Sequence, residues 1–147
     1  MAKPNDMQER AALISAAALG ERVKVLDLGW EGSCCGKPLL ETGSAVTFVA
    51  EDIRAVSAVE ENRHLKALLS ASPSEAVSEP ADVVLYRPLQ RAAKGQVFEW
   101  IDEGFQALRT GGTFLLAGRK DRGVESYKRR LQDVFGNCTL AVFCQIR

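Results

Sequence analysis

The sequence predicts a three-layer α/β protein built on a doubly wound, mostly parallel sheet. Short apolar, β-branched segments recur at Val23–Leu28, Ala45–Ala50, Ala81–Tyr86, Thr113–Ala117 and Asn137–Cys144. Segments with apolar residues at helical spacing alternate with them. Such alternation builds parallel sheets with helices on both faces. The segments that follow the strands carry Gly29–Gly36, Glu51-Asp52, Arg87-Pro88 and Gly118–Gly123. Folds of this class bind ligands beyond the carboxyl ends of their strands, where these residues fall.

Each element has a local reason. Residues 6–19 read as a helix, with Asn5 or Asp6 as cap, Glu9 in the first turn and Gly20 as stop. Val23–Leu28 is the first strand, and residues 37–42 form a short helix or turn ended by Gly43-Ser44. Ala45–Ala50 is a second strand. Residues 54–69 return to helical spacing through Val56, Val59, Leu65, Leu68 and Leu69. Residues 70–80, rich in Ser, Pro and Glu, read as a loop with room for a short strand. Ala81–Tyr86 is a buried strand. Residues 95–109 make the best amphipathic helix, with Val97, Phe98, Ile101, Phe105 and Leu108 as its apolar stripe. Gly111-Gly112 breaks it before the strand at Thr113–Ala117. Residues 122–135 are helical, with Val124, Leu131, Val134 and Phe135 inward, and Asn137–Cys144 is the last strand.

The chain has 147 residues, 46% hydrophobic and 26% charged, which suits one ordinary globular domain. It has no apolar run of membrane-spanning length and no secretory pattern in its first residues, so the expected location is the cytoplasm. Four cysteines without a C-x-x-C and a single histidine argue against a zinc site. His64 has no motif partner and reads as structural. Cys34-Cys35 has no nearby base to activate a thiol. Net charge is zero, but residues 1–86 hold 8 Lys+Arg against 13 Asp+Glu, and residues 87–147 hold 11 against 6. Arg119, Lys120, Arg122, Lys128, Arg129 and Arg130 cluster at the start and outer face of the last helix. Phosphate contact and a solvated helix face are both open readings of that cluster.

Asp27-Leu28-Gly29 at the end of the first strand resembles the first motif of class I S-adenosylmethionine-dependent methyltransferases. The unit Leu108-Arg109-Thr110-Gly111-Gly112-Thr113-Phe114-Leu115-Leu116 is similar to the segment before their fifth strand. Within that superfamily the chain resembles most the rRNA (guanine-N2) methyltransferases. Ala117-Gly118-Arg119-Lys120-Asp121-Arg122-Gly123-Val124, Val134-Phe135-Gly136-Asn137 and Lys94 carry this resemblance. It covers almost the whole chain and implies a Rossmann-like fold with S-adenosylmethionine as cofactor. Asp27, Gly29, Gly32 and Glu51 are the cofactor-binding candidates it implies.

The chain departs from the family where the chemistry sits. The first motif of the family is D-x-G-x-G-x-G, and here it reads Asp27-Leu28-Gly29-Trp30-Glu31-Gly32-Ser33. A carboxylate at Glu31 would face the carboxylate of the cofactor, and its bulk hinders close backbone approach. Gly32 rescues the turn if the loop is one residue out of register. Otherwise Trp30 packs over the sheet edge and no cofactor binds. Glu51 can serve the ribose hydroxyls, or cap the next helix together with Asp52. Family members that methylate an exocyclic amine carry N-P-P-F after the fourth strand. Here Tyr86-Arg87-Pro88-Leu89-Gln90 keeps only the proline. Guanidinium only donates, so Arg87 cannot accept from an amine, and neither Leu89 nor Gln90 offers a ring for stacking.

These departures match the degenerate N-terminal copy found in two-domain rRNA enzymes. That resemblance implies a single methyltransferase-like domain over residues 1–147, standing alone or as a fragment of a longer two-domain protein, without catalysis of its own. It would bind RNA through Arg119, Lys120, Arg122, Lys128 and Arg129, or support a catalytic domain. The sheet is expected to lack its last strand, leaving an edge open to a homodimer. An active S-adenosylmethionine-dependent methyltransferase and a domain for another nucleotide are the alternatives.

Overall fold

The computed structural model describes residues 24–28, 45–50, 56, 66–70, 72–86, 88, 93–116 and 124–136. Five parallel strands form one sheet: β1 (Lys24–Leu28), β2 (Ala45–Ala50), β3 (Lys66–Leu69), β4 (Ala81–Tyr86) and β5 (Leu108–Leu116). Their spatial order is β3-β2-β1-β4-β5. The order reverses between β1 and β4. Right-handed crossovers that step in opposite directions lie on opposite faces, so this order is doubly wound. Val25, Leu26, Asp27 and Leu28 are all buried, which requires cover on both faces of β1. The predicted strands at Ala45–Ala50 and Ala81–Tyr86 have the predicted bounds, and β1 starts one residue later than expected.

Three helices are described: α1 (Pro73–Ala76), α2 (Lys94–Ala107) and α3 (Val124–Phe135). Helix α2 packs on β4 and β5 and against α1 and α3. The core gathers Leu26, Leu28, Val84, Tyr86, Val97, Trp100, Ile101, Tyr127 and Leu131. The helix expected over 6–19, the turn at 37–42 and the strand at Asn137–Cys144 lie outside the described residues, as does any judgement on a missing last strand.

Three expectations are corrected. Residues 54–69 are not one helix. Val56 is helical and buried, but Lys66–Leu69 is β3, paired from Thr47↔Lys66 to Ala50↔Leu69. A short apolar run fits helix and strand periodicity equally, and the open side of β2 decides it. The Ser70 N–H continues the ladder to the Ala50 carbonyl at 2.9 Å. The following loop contains the single turn of α1, held by Glu103, which accepts the Ser72 hydroxyl at 2.9 Å and the Ser74 N–H at 3.0 Å. Burial pushes the Glu103 carboxyl up, but these bonds outweigh it and hold it below the usual range.

The second correction concerns α2. Its buried residues are Val97, Trp100, Ile101, Gly104 and Ala107. Phe105 is 44% exposed and Phe98 only partly buried. Gly104 interrupts the apolar pattern in sequence, yet it is the point of closest approach. A Cβ there would collide with the Phe114 ring of β5. The bulky Phe98 and Phe105 are displaced to the flank, where Phe98 meets Tyr127 edge-on at 6.3 Å and Phe105 meets Phe135 at 4.8 Å. Trp100 and Tyr127, absent from the predicted stripes, fill the core instead.

The third concerns the junction at the glycine pair. α2 ends at Ala107, and Leu108 enters the sheet at once opposite Ala81. The ladder then jumps to Val83↔Thr113, so Arg109–Gly112 bulge outward before the predicted strand resumes. Gly111 takes a φ of 81°, and a Cβ on Gly112 would meet the Asp82 carbonyl at 2.9 Å. Asp82 holds the bulge. Its carboxylate accepts the Lys24 backbone N–H at 2.8 Å and the Arg109 guanidinium. These two donors, the backbone one first, keep the Asp82 carboxyl below its usual range.

Candidate functional site

The ends of β1, β2 and β4 lie side by side at the switch point. Leu28 ends β1 and is paired with Tyr86, the end of β4, and with Val49 of β2. Strands in a sheet lie about 4.8 Å apart, so the segments that begin at Gly29 and Arg87 leave adjacent strand ends. The segment beginning at Glu51 leaves β2 on the other side of β1. Asp27, Tyr86 and Pro88 therefore stand at the end of the sheet where α/β folds form their ligand crevice, and Gly29, Glu51 and Arg87, which follow these strands in sequence, lie outside the described residues.

Of the cofactor-binding candidates, Asp27 is among the described residues. Gly29, Gly32 and Glu51 lie outside them, as do Trp30 and Glu31. Asp27 is 0% exposed and is the one buried charged side chain among the described residues. It sits between Phe48 and Leu85 in register, one residue before the end of β1. Burying a carboxylate is costly. Its position is that of the acid which the resemblance implies for orienting a cofactor. The segment that follows in sequence does not fit an anionic ligand by its chemistry, since it adds a second carboxylate at Glu31.

Beside Asp27, the end of β4 is built on aromatic packing. Tyr86 is buried, and its ring lies 6.0 Å from Trp100 of α2 at an interplanar angle of 33°. Pro88 follows, partly buried. The Tyr86–Trp100 pair makes α2 the support of the carboxyl end of β4, although Trp100 was absent from the predicted apolar stripe. Its signal was there: Trp100 is three residues after Val97 and one before Ile101, on the buried face.

The basic cluster divides. Arg119, Lys120 and Arg122 lie outside the described residues, in the connection from β5 to α3. On α3, Arg130 grips Asp102 of α2 through two bonds at 3.2 and 2.5 Å and covers the Phe98 ring at 5.6 Å. That contact raises the Arg130 pKa, the Asp102 bond first, and assigns the side chain to helix packing. Arg129 is exposed and Lys128 partly buried. Glu125 and Asp133 stand four residues before and after Arg129, on the same helical face. Lys94 opens α2, exposed, with its ammonium 6.0 Å from the Phe98 ring.

No protein-family model and no curated protein matches the sequence. Solved structures do match. The 16S rRNA N2 guanine methyltransferase RsmC of T. thermophilus, solved with AdoMet and guanosine, aligns over 92% of this chain and 39% of its own, with a TM-score of 0.75 and 22% identity. A TehB-like SAM-dependent methyltransferase from Corynebacterium glutamicum covers 86% of this chain and 71% of its own, with a TM-score of 0.69 and 19% identity. The N-methyltransferase NodS of Bradyrhizobium japonicum covers 84% and 74%, with a TM-score of 0.63 and 16% identity. The fold is thus the Rossmann-like fold of class I S-adenosylmethionine-dependent methyltransferases. Within it the chain is similar to an rRNA methyltransferase, of whose length it spans about two fifths. No described helix is long and apolar enough to cross a membrane, and no cluster of metal-ligating side chains occurs among the described residues.

Proposed function

We propose that this chain is a methyltransferase-like domain related to the rRNA (guanine-N2) methyltransferases, without catalysis of its own, that acts by binding RNA or supporting a catalytic domain. The observation that carries this reading is the carboxyl end of β4. Tyr86 is turned into the core against Trp100, and the residues that follow are Arg87-Pro88-Leu89-Gln90. They supply no acceptor for an amine at Arg87 and no ring to stack on a base. Arg119, Lys120, Arg122, Lys128 and Arg129 are the residues proposed to contact phosphate, which carries no sequence readout by itself. Rossmann-like scaffolds host many activities, so the reading rests on this site and not on the fold.

Calorimetric titration of the chain with S-adenosylmethionine and S-adenosylhomocysteine tests it. The expected result is no measurable heat with either. Binding tighter than roughly 100 µM, a range usual for enzyme ligands, would overturn it. The second reading, an active methyltransferase, is favoured by the burial of Asp27 beside the crevice. It requires that Asp27→Ala abolish that heat, with Gly29, Gly32 and Glu51 completing the cofactor site.

A further inference from the structure

The crossover from β3 to β4 covers much sheet with little structure. It steps over β2 and β1 in the same direction as the crossover from β4 to β5, so both lie on one face, and α1 packs against α2 there. A parallel crossover usually spends about a dozen residues or more and is an α-helix. Here it holds the single turn of α1, followed by exposed Ser78, Glu79 and Pro80. Both of its ends are tied to the sheet. The Ser70 N–H reaches the Ala50 carbonyl at 2.9 Å, and Ala81 begins β4 opposite Leu108.

Between these ties, Pro73 is fully buried, and Val77 packs with Leu68 against the core cluster that contains Leu26, Leu28 and Val49. The polar hold comes from α2. Ser72 is the N-cap of α1, yet its hydroxyl makes no cap bond to its own helix. It donates instead to Glu103 at 2.9 Å, and the other Glu103 oxygen accepts the Ser74 N–H at 3.0 Å. The carboxylate thus takes the place of the missing N-cap acceptor from another element. Burial pushes the Glu103 carboxyl up, and the bonds from Ser74 and Ser72 bring it below its usual range. The ion pair of Glu79 with Lys24 joins two exposed side chains and adds little.

We propose that residues 72–80 are a strap that opens and recloses while the sheet stays folded, with the Glu103 carboxylate as its latch. The acceptor belongs to α2, which is packed on β4 and β5, and the donors belong to the strap. The latch therefore breaks without the loss of any backbone bond of the sheet or of α2. Opening withdraws Pro73 and Val77 and uncovers the apolar face of β1 and β2 on the α2 side. Units with few buried contacts open at a lower free energy than the whole domain, and a single turn followed by three exposed residues is such a unit. The strap is independent of whether the chain binds RNA or a cofactor.

Native-state hydrogen exchange of the full chain, resolved to single amides, decides it. The amides of Ser74 and Glu75 report on the strap, and those of Val84 and Leu85 in β4 report on the sheet. In the parent chain the strap amides are expected to be protected, but at least about tenfold less than the β4 amides. Glu103→Gln keeps the shape and removes the charged acceptor. It is expected to lower strap protection by about tenfold or more and to change the β4 amides less than about twofold. Ser72→Ala removes one donor and is expected to give a smaller loss of about two- to tenfold, again confined to the strap. Glu99→Gln, on an exposed residue one turn earlier in α2, is expected to change neither set. Strap amides that exchange in the parent as in an unfolded peptide, or that keep their protection in Glu103→Gln, would overturn the proposal. So would an equal loss at strap and β4 amides, which would make the strap part of the global unit. A Glu99→Gln effect as large as that of Glu103→Gln would overturn the latch, since the charge of α2 would then suffice.

Discussion

At the amino end of the sheet, Lys24 meets Glu79 and Asp82 meets Arg109, so these charges are matched across strand β1, strand β4 and the bulge of β5. Toward the carboxyl end of the same strands, the chain keeps one carboxylate buried at Asp27 and packs Tyr86 against Trp100. The amino end spends its charges on holding a register jump in place. The carboxyl end is the side on which α/β folds receive ligands. The same strands thus spend exposed, paired charges at one end and a single buried carboxylate at the other.

The largest expected effect tests whether the two ends are separable at all. Trp100→Ala removes the indole that supports Tyr86 and should cost about 3–5 kcal/mol in denaturant unfolding, the range for a buried aromatic. A loss below about 1 kcal/mol would mean that the carboxyl end of β4 does not depend on α2. Next, Gly112→Ala forces a Cβ against the Asp82 carbonyl and should cost about 1–3 kcal/mol, since a backbone oxygen cannot turn aside. RNA affinity of the folded fraction should not change, because the bulge is at the far end. Arg109→Gln is expected to cost about 1 kcal/mol or less, as for other part-exposed ion pairs, again with RNA affinity unaltered. A fall in RNA affinity on either change would join the two ends.

The smallest effect is a pH dependence. The folded Asp82 carboxyl lies below its usual value of 3.8, through the Lys24 N–H and then Arg109. A carboxyl depressed in the folded state stabilises above its unfolded pKa, and that contribution is lost as pH falls through the folded value. The melting temperature should therefore decline below about pH 4, and Asp82→Asn should shrink that decline. An identical acid profile for the variant would remove Asp82 from the account.

Much of this organisation was legible in sequence. Continuous apolar runs such as Ala45–Ala50 and Ala81–Tyr86 announce buried parallel strands, because no face needs polar residues. The glycine pair marked a break for a sound reason, as Gly111 adopts a conformation that side chains resist. The motif departures at Glu31 and Arg87 were visible as residue chemistry before any coordinates. By itself, then, the sequence determined the α/β class and the alternation of its elements.

Only the tertiary structure decided what depends on neighbours distant along the chain. It made Lys66–Leu69 a strand, because β2 offers an open side that a four-residue run cannot declare locally. It turned α2 to place Gly104 on Phe114 and Trp100 on Tyr86, because shape at the helix–sheet contact outranks the count of apolar residues on a face. It gave Arg109 and Arg130 each a carboxylate 27 or 28 residues away in sequence. Charge is a property of the residue, but the neutralisation of a charge is a property of the fold.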